Sequence, residues 1–220
     1  TVQFGARSTT ADPTGEISST GRRTDAEQVQ EMLGRFQGRI TQKVPLTSAV
    51  KVDGEPLYRR AHRGESAERP EREVTVHELR LAAFDATAQA ARLVAVTGSG
   101  TYVRTLAEDL GEALGCGAYA ATLRRTRSGD LHVDDALAPT ELSPQRYRDG
   151  GPGVLSIDEA LHFLPEHRLD REQARLAANG NVLSGTPVGR FRVHGPEGLL
   201  GIYEGAGGHA RPLAVFARPA

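Results

Sequence analysis

The sequence predicts an α+β fold, a mixed and largely antiparallel sheet with helices packed on it, followed by a small β-rich module. Three observations carry this expectation. EVTVHELRLAAF and ARLVAVT, residues 73–84 and 91–97, read as strands. GSGTYVRTLAEDLGEALGC, residues 98–116, reads as an amphipathic helix, with Val103, Leu106, Ala107, Leu110 and Leu114 on one stripe and Glu108, Asp109 and Glu112 pointing away. SPQRYRDGGPG, residues 143–153, has linker chemistry, and beyond it come three brief strand patterns, VGRFRV, LLGIYEG and RPLAVFA.

The other elements follow in order. Residues 1–8 read as the end of a strand, and ADPTGE is a turn built on Pro13 and Gly15. Thr24 and Glu27 form a capping box for a helix whose apolar face is Val29, Met32, Leu33 and Phe36, ended by Gly38. RITQKVPLTSAVKVDGEPLY is extended, with a tight turn at Asp53-Gly54, and the charged segment 59–72 reads as an exposed arm. Thr101 is the candidate N-cap of the 98–116 helix, and Gly115 is placed to end it. AYAATLRRTRSGDLHV, residues 118–133, reads as one long strand with a basic edge; SIDEALHFL and DREQARLAANG read as short helices.

Composition excludes more than it assigns. A chain of 220 residues that is 38% apolar can bury a core. A single cysteine, Cys116, excludes an internal disulfide framework and a cysteine-rich metal site, which points to a cytoplasmic protein. No apolar run is long enough to span a bilayer, so no membrane partner is expected. The net charge of −1 makes no global case for nucleic acid, so any RNA surface must come from local clusters such as Arg59, Arg60 and Arg63 or Arg124, Arg125 and Arg127. The P-loop, dinucleotide, zinc-protease and serine-hydrolase signatures are all missing, and the seven histidines lack ligand spacing, so neither cofactor nor metal is expected.

One constellation remains. Tyr102 and Arg104 sit in the first turn of a helix, where the dipole disfavours a cation, so Arg104 calls for an anionic partner. SAVKVDGEPLY at 48–58, GSGTYVRTLAEDLGEALGCGA at 98–118, LRRTRSG at 123–129 and FGARSTTADPTGE at 4–16 together resemble the bacterial tRNA pseudouridine synthase B family, TruB, over nearly all of residues 1–135. The tail from about Leu164 is similar to that family's small C-terminal RNA-binding, PUA-like domain.

The resemblance implies an isomerase that converts a uridine in the T loop of tRNA, of the U55 type, to pseudouridine; a monomer is the expected state, which the sequence itself does not decide. It implies a catalytic domain over 1–142, a linker and short helix over 143–163, and the RNA-binding domain over 164–220. It makes Tyr102 the aromatic that stacks on the flipped base and takes part in removing a proton, and Arg104 the partner of the nucleophilic aspartate. Leu123 lines the uracil pocket, while Lys51, Arg124 and Arg125 face RNA. The family's nucleophile lies in a G-x-L-D-x-x-A-x-G stretch that these 220 residues do not contain. Asp12 does not replace it, because it lies in the turn that the family carries downstream of the nucleophile. A further pocket aromatic is likewise expected upstream of Thr1. The expectation is therefore an N-terminally truncated synthase, inactive as this chain alone, in which Arg104 has lost its partner. The alternative is a tRNA-binding or tRNA-folding protein without catalysis.

Overall fold

Apolar alternation in the middle of the chain produces a long antiparallel hairpin, and the first sheet grows outward from it. The computed structural model describes residues 1–65 and 68–216, so the end of the expected 211–217 strand and part of the charged arm lie outside the described residues. Two units are distinct, Thr1–Arg124 and Arg125–Ala220.

In the first unit β1 (Val2–Phe4), β2 (Ala6–Ser8) and β3 (Ile17–Ser19) precede α1 (Ala26–Leu33). Next come β4 (Gly38–Lys43), β5 (Lys51–Val52), β6 (Glu55–Pro56) and α2 (Leu57–His62). The hairpin of β7 (Glu71–Asp85) and β8 (Ala90–Thr97) then leads to α3 (Val103–Ala113) and β9 (Ala118–Ala120). The main sheet has the order β4-β7-β8-β1-β9, with every neighbouring pair antiparallel. Val29 and Leu33 of α1 and Leu106, Ala107 and Leu110 of α3 share one core with Val2, Phe4, Val76 and Leu79 of the sheet. The helical stripe read from the sequence is thus the buried one.

Local chemistry explains where the chain bends. Gly5 separates β1 from β2 at φ +80°, and a Cβ there would lie 2.8 Å from the Arg22 carbonyl oxygen. Asp53 and Gly54 both have positive φ, 53° and 83°, the backbone signature of a type I′ hairpin turn. At α1 the cap is Asp25 and not Thr24: the Asp25 carboxylate accepts from the Gln28 amide at 2.9 Å, while the Thr24 hydroxyl bonds Gln28 Oε1. At α3 the N-cap position is Tyr102 and not Thr101, whose hydroxyl donates instead to the Gly98 carbonyl at 3.0 Å. Gly115 ends that helix at φ +71°, donating to the Glu112 carbonyl.

The expected strand over 118–133 does not form as one piece. β9 stops at Ala120, where its pairing with β1 ends at Val2; the Ala121 and Thr122 amides donate to the Thr1 carbonyl, and no strand pairs with residues 123–126 among the described residues. Without a ladder partner the extended backbone has no hydrogen bonds to hold it as a strand.

The second unit opens with the small hairpin β10 (Arg127–Ser128) and β11 (Leu131–His132), then α4 (Pro144–Asp149) and α5 (Ile157–Ala160). Residues 143–153 contain a helix because Ser143 accepts from the Arg146 amide and Pro144 fills the first turn, where no amide is needed. β12 (Glu166–Arg168), α6 (Arg171–Ala178), β13 (Leu183–Ser184), β14 (Gly189–Gly195), β15 (Gly198–Ala206) and β16 (His209–Val215) complete it. Its sheet has the order β12-β14-β15-β16-β13, in which β12 and β14 are parallel and the other neighbours antiparallel. β12 and β13 are too short to have stood out in the sequence. Tyr203 is fully buried, with its hydroxyl donating to the Ala177 carbonyl at 2.9 Å.

α3 and β9 approach closely at Gly111, where a Cβ would fall 2.2 Å from the Ala118 amide nitrogen. That neighbour is backbone and cannot move aside. Gly111→Ala therefore costs at least about 1–3 kcal/mol, seen as a lower midpoint of urea unfolding followed by far-UV circular dichroism; an unchanged midpoint would contradict this packing.

Candidate active site

The start of α3 carries two of the sequence-predicted site residues and is held from two directions. Tyr102 is its N-cap residue, in extended conformation at φ −92° and ψ 96°, and makes no side-chain capping bond. Its own backbone is held instead by Gln42 of β4, which is 1% exposed. Its Oε1 accepts from the Tyr102 amide at 3.0 Å and its Nε2 donates to the Tyr102 carbonyl at 3.2 Å. One primary amide thus satisfies both backbone groups of the tyrosine.

Arg104, two residues on, points its guanidinium at Asp12. Nη1 pairs with Asp12 Oδ2, and the side chains are 41% and 16% exposed respectively. Asp12 is prepared for this by its own turn: Oδ1 accepts from the Thr10 hydroxyl at 2.8 Å, the Thr14 amide at 3.0 Å and the Thr14 hydroxyl at 2.5 Å. The Thr14 hydroxyl, then Thr10 and Arg104, hold the Asp12 carboxyl well below the usual carboxylate range. The expectation that Arg104 lacks a partner is therefore corrected: the anion that the helix dipole called for is Asp12. Its Oδ1 is saturated with donors and its Oδ2 faces a guanidinium, an arrangement suited to holding the arginine rather than to attacking a substrate.

The other predicted site residues belong to other segments. Leu123 and Arg124 lie exposed in the irregular segment after β9, Leu123 at 62% exposure. Lys51 is an exposed residue of β5. Arg125 opens the second unit. Among the described residues none of Lys51, Arg124 and Arg125 makes an ion pair, whereas Arg60 and Arg63 are both engaged with Glu55. No group of three or more His, Cys, Asp or Glu among the described residues is arranged to hold a metal ion. No helix among them is long and apolar enough to cross a membrane.

Sequence reasoning missed two contributors. The buried Gln42 had a usable signal, since two-residue parity in β4 puts it on the same face as the partly buried Ile40. Asp12 had a weaker one, the threonines at 10 and 14 that fix its carboxylate; its meeting with a residue 92 positions later is tertiary.

Comparison with known proteins gives this geometry a context. Residues 1–103 match the family model "TruB family pseudouridylate synthase (N terminal domain)" and residues 104–151 match "tRNA pseudouridylate synthase B C-terminal domain". The chain is 38% identical over 223 residues to the tRNA pseudouridine synthase B of Ralstonia nicotianae, covering 96% of this chain and 71% of that protein. It is 44% identical over 196 residues to the tRNA pseudouridine synthase B of Pseudomonas putida, covering 86% of this chain and 63% of that protein. Among solved structures it is similar to a chain of a Cbf5-Nop10-Gar1 complex, with a TM-score of 0.68 and 18% identity over 99% of this chain and 66% of that one. A second is a chain of an H/ACA RNP bound to a substrate RNA containing 2'-deoxyuridine, with a TM-score of 0.65 and 16% identity over 99% of this chain and 65% of that one. At these identities the structural likeness speaks for the fold.

Two carboxylates, Asp12 at the turn and Asp109 farther along α3, have opposite pH signatures. Asp109, expected to point away from the core, is half-buried, and burial, then the neighbouring Glu108 charge, pushes its carboxyl up to about 6. The Asp12 shift favours the folded state above the unfolded carboxyl value and is lost as pH falls through the lower folded value; the Asp109 shift favours it at low pH and is lost as pH rises through about 6. Asp109→Asn accordingly raises stability at pH 7.5 by about 1 kcal/mol, solvent screening of the half-buried carboxylate included, and flattens the decline between pH 4 and 6. Urea titrations across that range check both; an unchanged slope would remove Asp109 as its source.

Proposed function

The chain belongs to the TruB family of pseudouridylate synthases, and from that premise we propose that it is the base-pocket and RNA-binding part of a tRNA pseudouridine synthase acting on a T-loop uridine. The observation that carries this reading is the first turn of α3, where Tyr102 is clamped by Gln42 and Arg104 is held on Asp12. The family relatives are named for the same reaction on tRNA.

The reaction is an isomerisation, so atoms balance without an added reagent. The bond between the ribose C1′ and uracil N1 breaks, a bond from C1′ to C5 forms, and the proton on C5 leaves as N1 gains one. The uridine must first leave the loop and find an aromatic or apolar surface, a role assigned to Tyr102, with Leu123 lining the far side. The nucleophile in this proposal is an aspartate outside these 220 residues. Arg104 pairs with it through the donors that Asp12 does not use: Nη1 goes to Asp12, and Nε and Nη2 remain for a second carboxylate. Asp12 thereby holds one end of the guanidinium and leaves its other donors for the nucleophile. Lys51, Arg124 and Arg125, exposed and free of ion pairs among the described residues, meet phosphate.

Two tests follow. In the complete protein, Tyr102→Leu and Arg104→Lys each lower single-turnover tritium release from 5-tritiated uridine in tRNA by about 100-fold or more while tRNA affinity is nearly kept. Normal turnover in either variant would remove the assigned role. The chain of 220 residues alone binds a T-arm hairpin without turnover; turnover by it would place the nucleophile within these residues. For the RNA surface, Lys51→Ala and Arg124→Ala each reduce the slope of log affinity against log salt by about 0.7–1; an unaltered slope would take that residue off the phosphate path.

A further inference from the structure

The two hydrogen bonds from Gln42 to Tyr102 have a consequence for the chemistry. The Tyr102 ring and hydroxyl make no hydrogen bond among the described residues, so every hydrogen bond this residue makes there is through its backbone. That backbone lies at a helix start, where amides have no intrahelical acceptor and the chain frays most easily. A Ser, Thr or Asp at the cap would ordinarily bind the first-turn amides from within the helix; a tyrosine cannot do so and also present its ring to a ligand.

Gln42 leaves the first-turn amides alone and instead holds the Tyr102 peptide groups themselves, from outside the helix. It sits on β4, paired opposite Arg72 of β7, so its side chain departs from a strand held by a full ladder. The side chain is 1% exposed, which confines its rotamer, and it spends one acceptor and one donor on the tyrosine. The Tyr102 carbonyl also accepts the first helical bond, from the Leu106 amide at 3.0 Å, so one oxygen joins the sheet to the helix. Desolvating an amide this completely is costly unless both ends are bonded, and both are bonded to the same residue.

We propose that Gln42 is a positioning residue of the active site, which sets the direction of the Tyr102 ring by clamping the Tyr102 peptide groups on either side of its Cα. The catalytic half of this proposal rests on the reading of Tyr102 as the base-contacting residue. Glutamine suits the position because it offers a donor and an acceptor in one plane; a carboxylate lacks the donor, and an apolar side chain of the same length lacks both.

The test uses the complete protein and two variants. Gln42→Met keeps the volume and removes the clamp. Thr105→Val alters a buried hydroxyl one position beyond Arg104 that has no hydrogen-bond partner among the described residues, and so perturbs the same helix start without touching the clamp. The expected result for Gln42→Met is a fall in kcat on the order of 10–100-fold with KM for tRNA close to wild type. It is accompanied by faster hydrogen exchange at the Tyr102 amide, and Thr105→Val keeps wild-type kcat. Unchanged kcat in Gln42→Met overturns the proposal, as does an equal loss in Thr105→Val, which would mean that turnover follows packing alone. Exchange separates the two layers: if Tyr102→Leu turns over normally, the reading of the ring fails, yet faster exchange at Tyr102 in Gln42→Met still supports the clamp. Unchanged exchange there overturns the clamp itself.

Discussion

The depth at which α3 lies on its sheet governs the geometry of the site. The helix meets β9 at Gly111, where the space that a side chain would need is taken by the backbone of Ala118. From that contact the helix axis runs back to Tyr102, and its first turn arrives beside β4 and the 11–16 turn. Gln42 and Asp12 reach their partners only at this distance. A helix displaced outward by the thickness of one methyl group would still bury Leu106 and Leu110 in part, since apolar contact fades gradually with separation, but the hydrogen bonds at its start are far less tolerant. Packing near one end of α3 thereby sets polar geometry at the other.

The charge at that end is balanced with little left over. A guanidinium at the positive end of a helix dipole is unfavourable by itself, and Asp12 reverses the sign of its surroundings. Asp12 is in turn kept ionised by two hydroxyls and an amide from its own turn. The network reads in one direction, from a rigid turn to a carboxylate to an arginine to whatever anion the arginine next meets. Each member constrains the following one, so the last donors of Arg104 are presented over a restricted range of directions.

Much of this was legible in the sequence where the cause was local. Apolar period gave α1 and α3, alternation gave β7 and β8, and Asp53-Gly54 gave its hairpin turn, because each depends on residues a few positions apart. The dipole argument even required an anion for Arg104. What could not be read was which anion, since Asp12 and Arg104 meet only after the sheet has formed. The caps of α1 and α3 were misplaced by one residue because Thr24 and Thr101 had competing bonds available, to Gln28 and Gly98. The basic strand over 118–133 failed for a related reason: its residues favour extension, but a strand exists only where a neighbour pairs with it.

The sheet order also shapes how the first unit is assembled. β1 lies between β8 and β9, so residues 2–4 bond with partners at 90–91 and 118–120, across most of the unit. Loop closure over such separations costs entropy before any ladder bond is gained, which makes this insertion a late step in folding. Until it happens Val2 and Phe4, both buried in the finished core, remain uncovered. During synthesis the partners of this strand in β9 emerge more than a hundred residues after it, so the segment cannot take its final place until nearly the whole unit has been made.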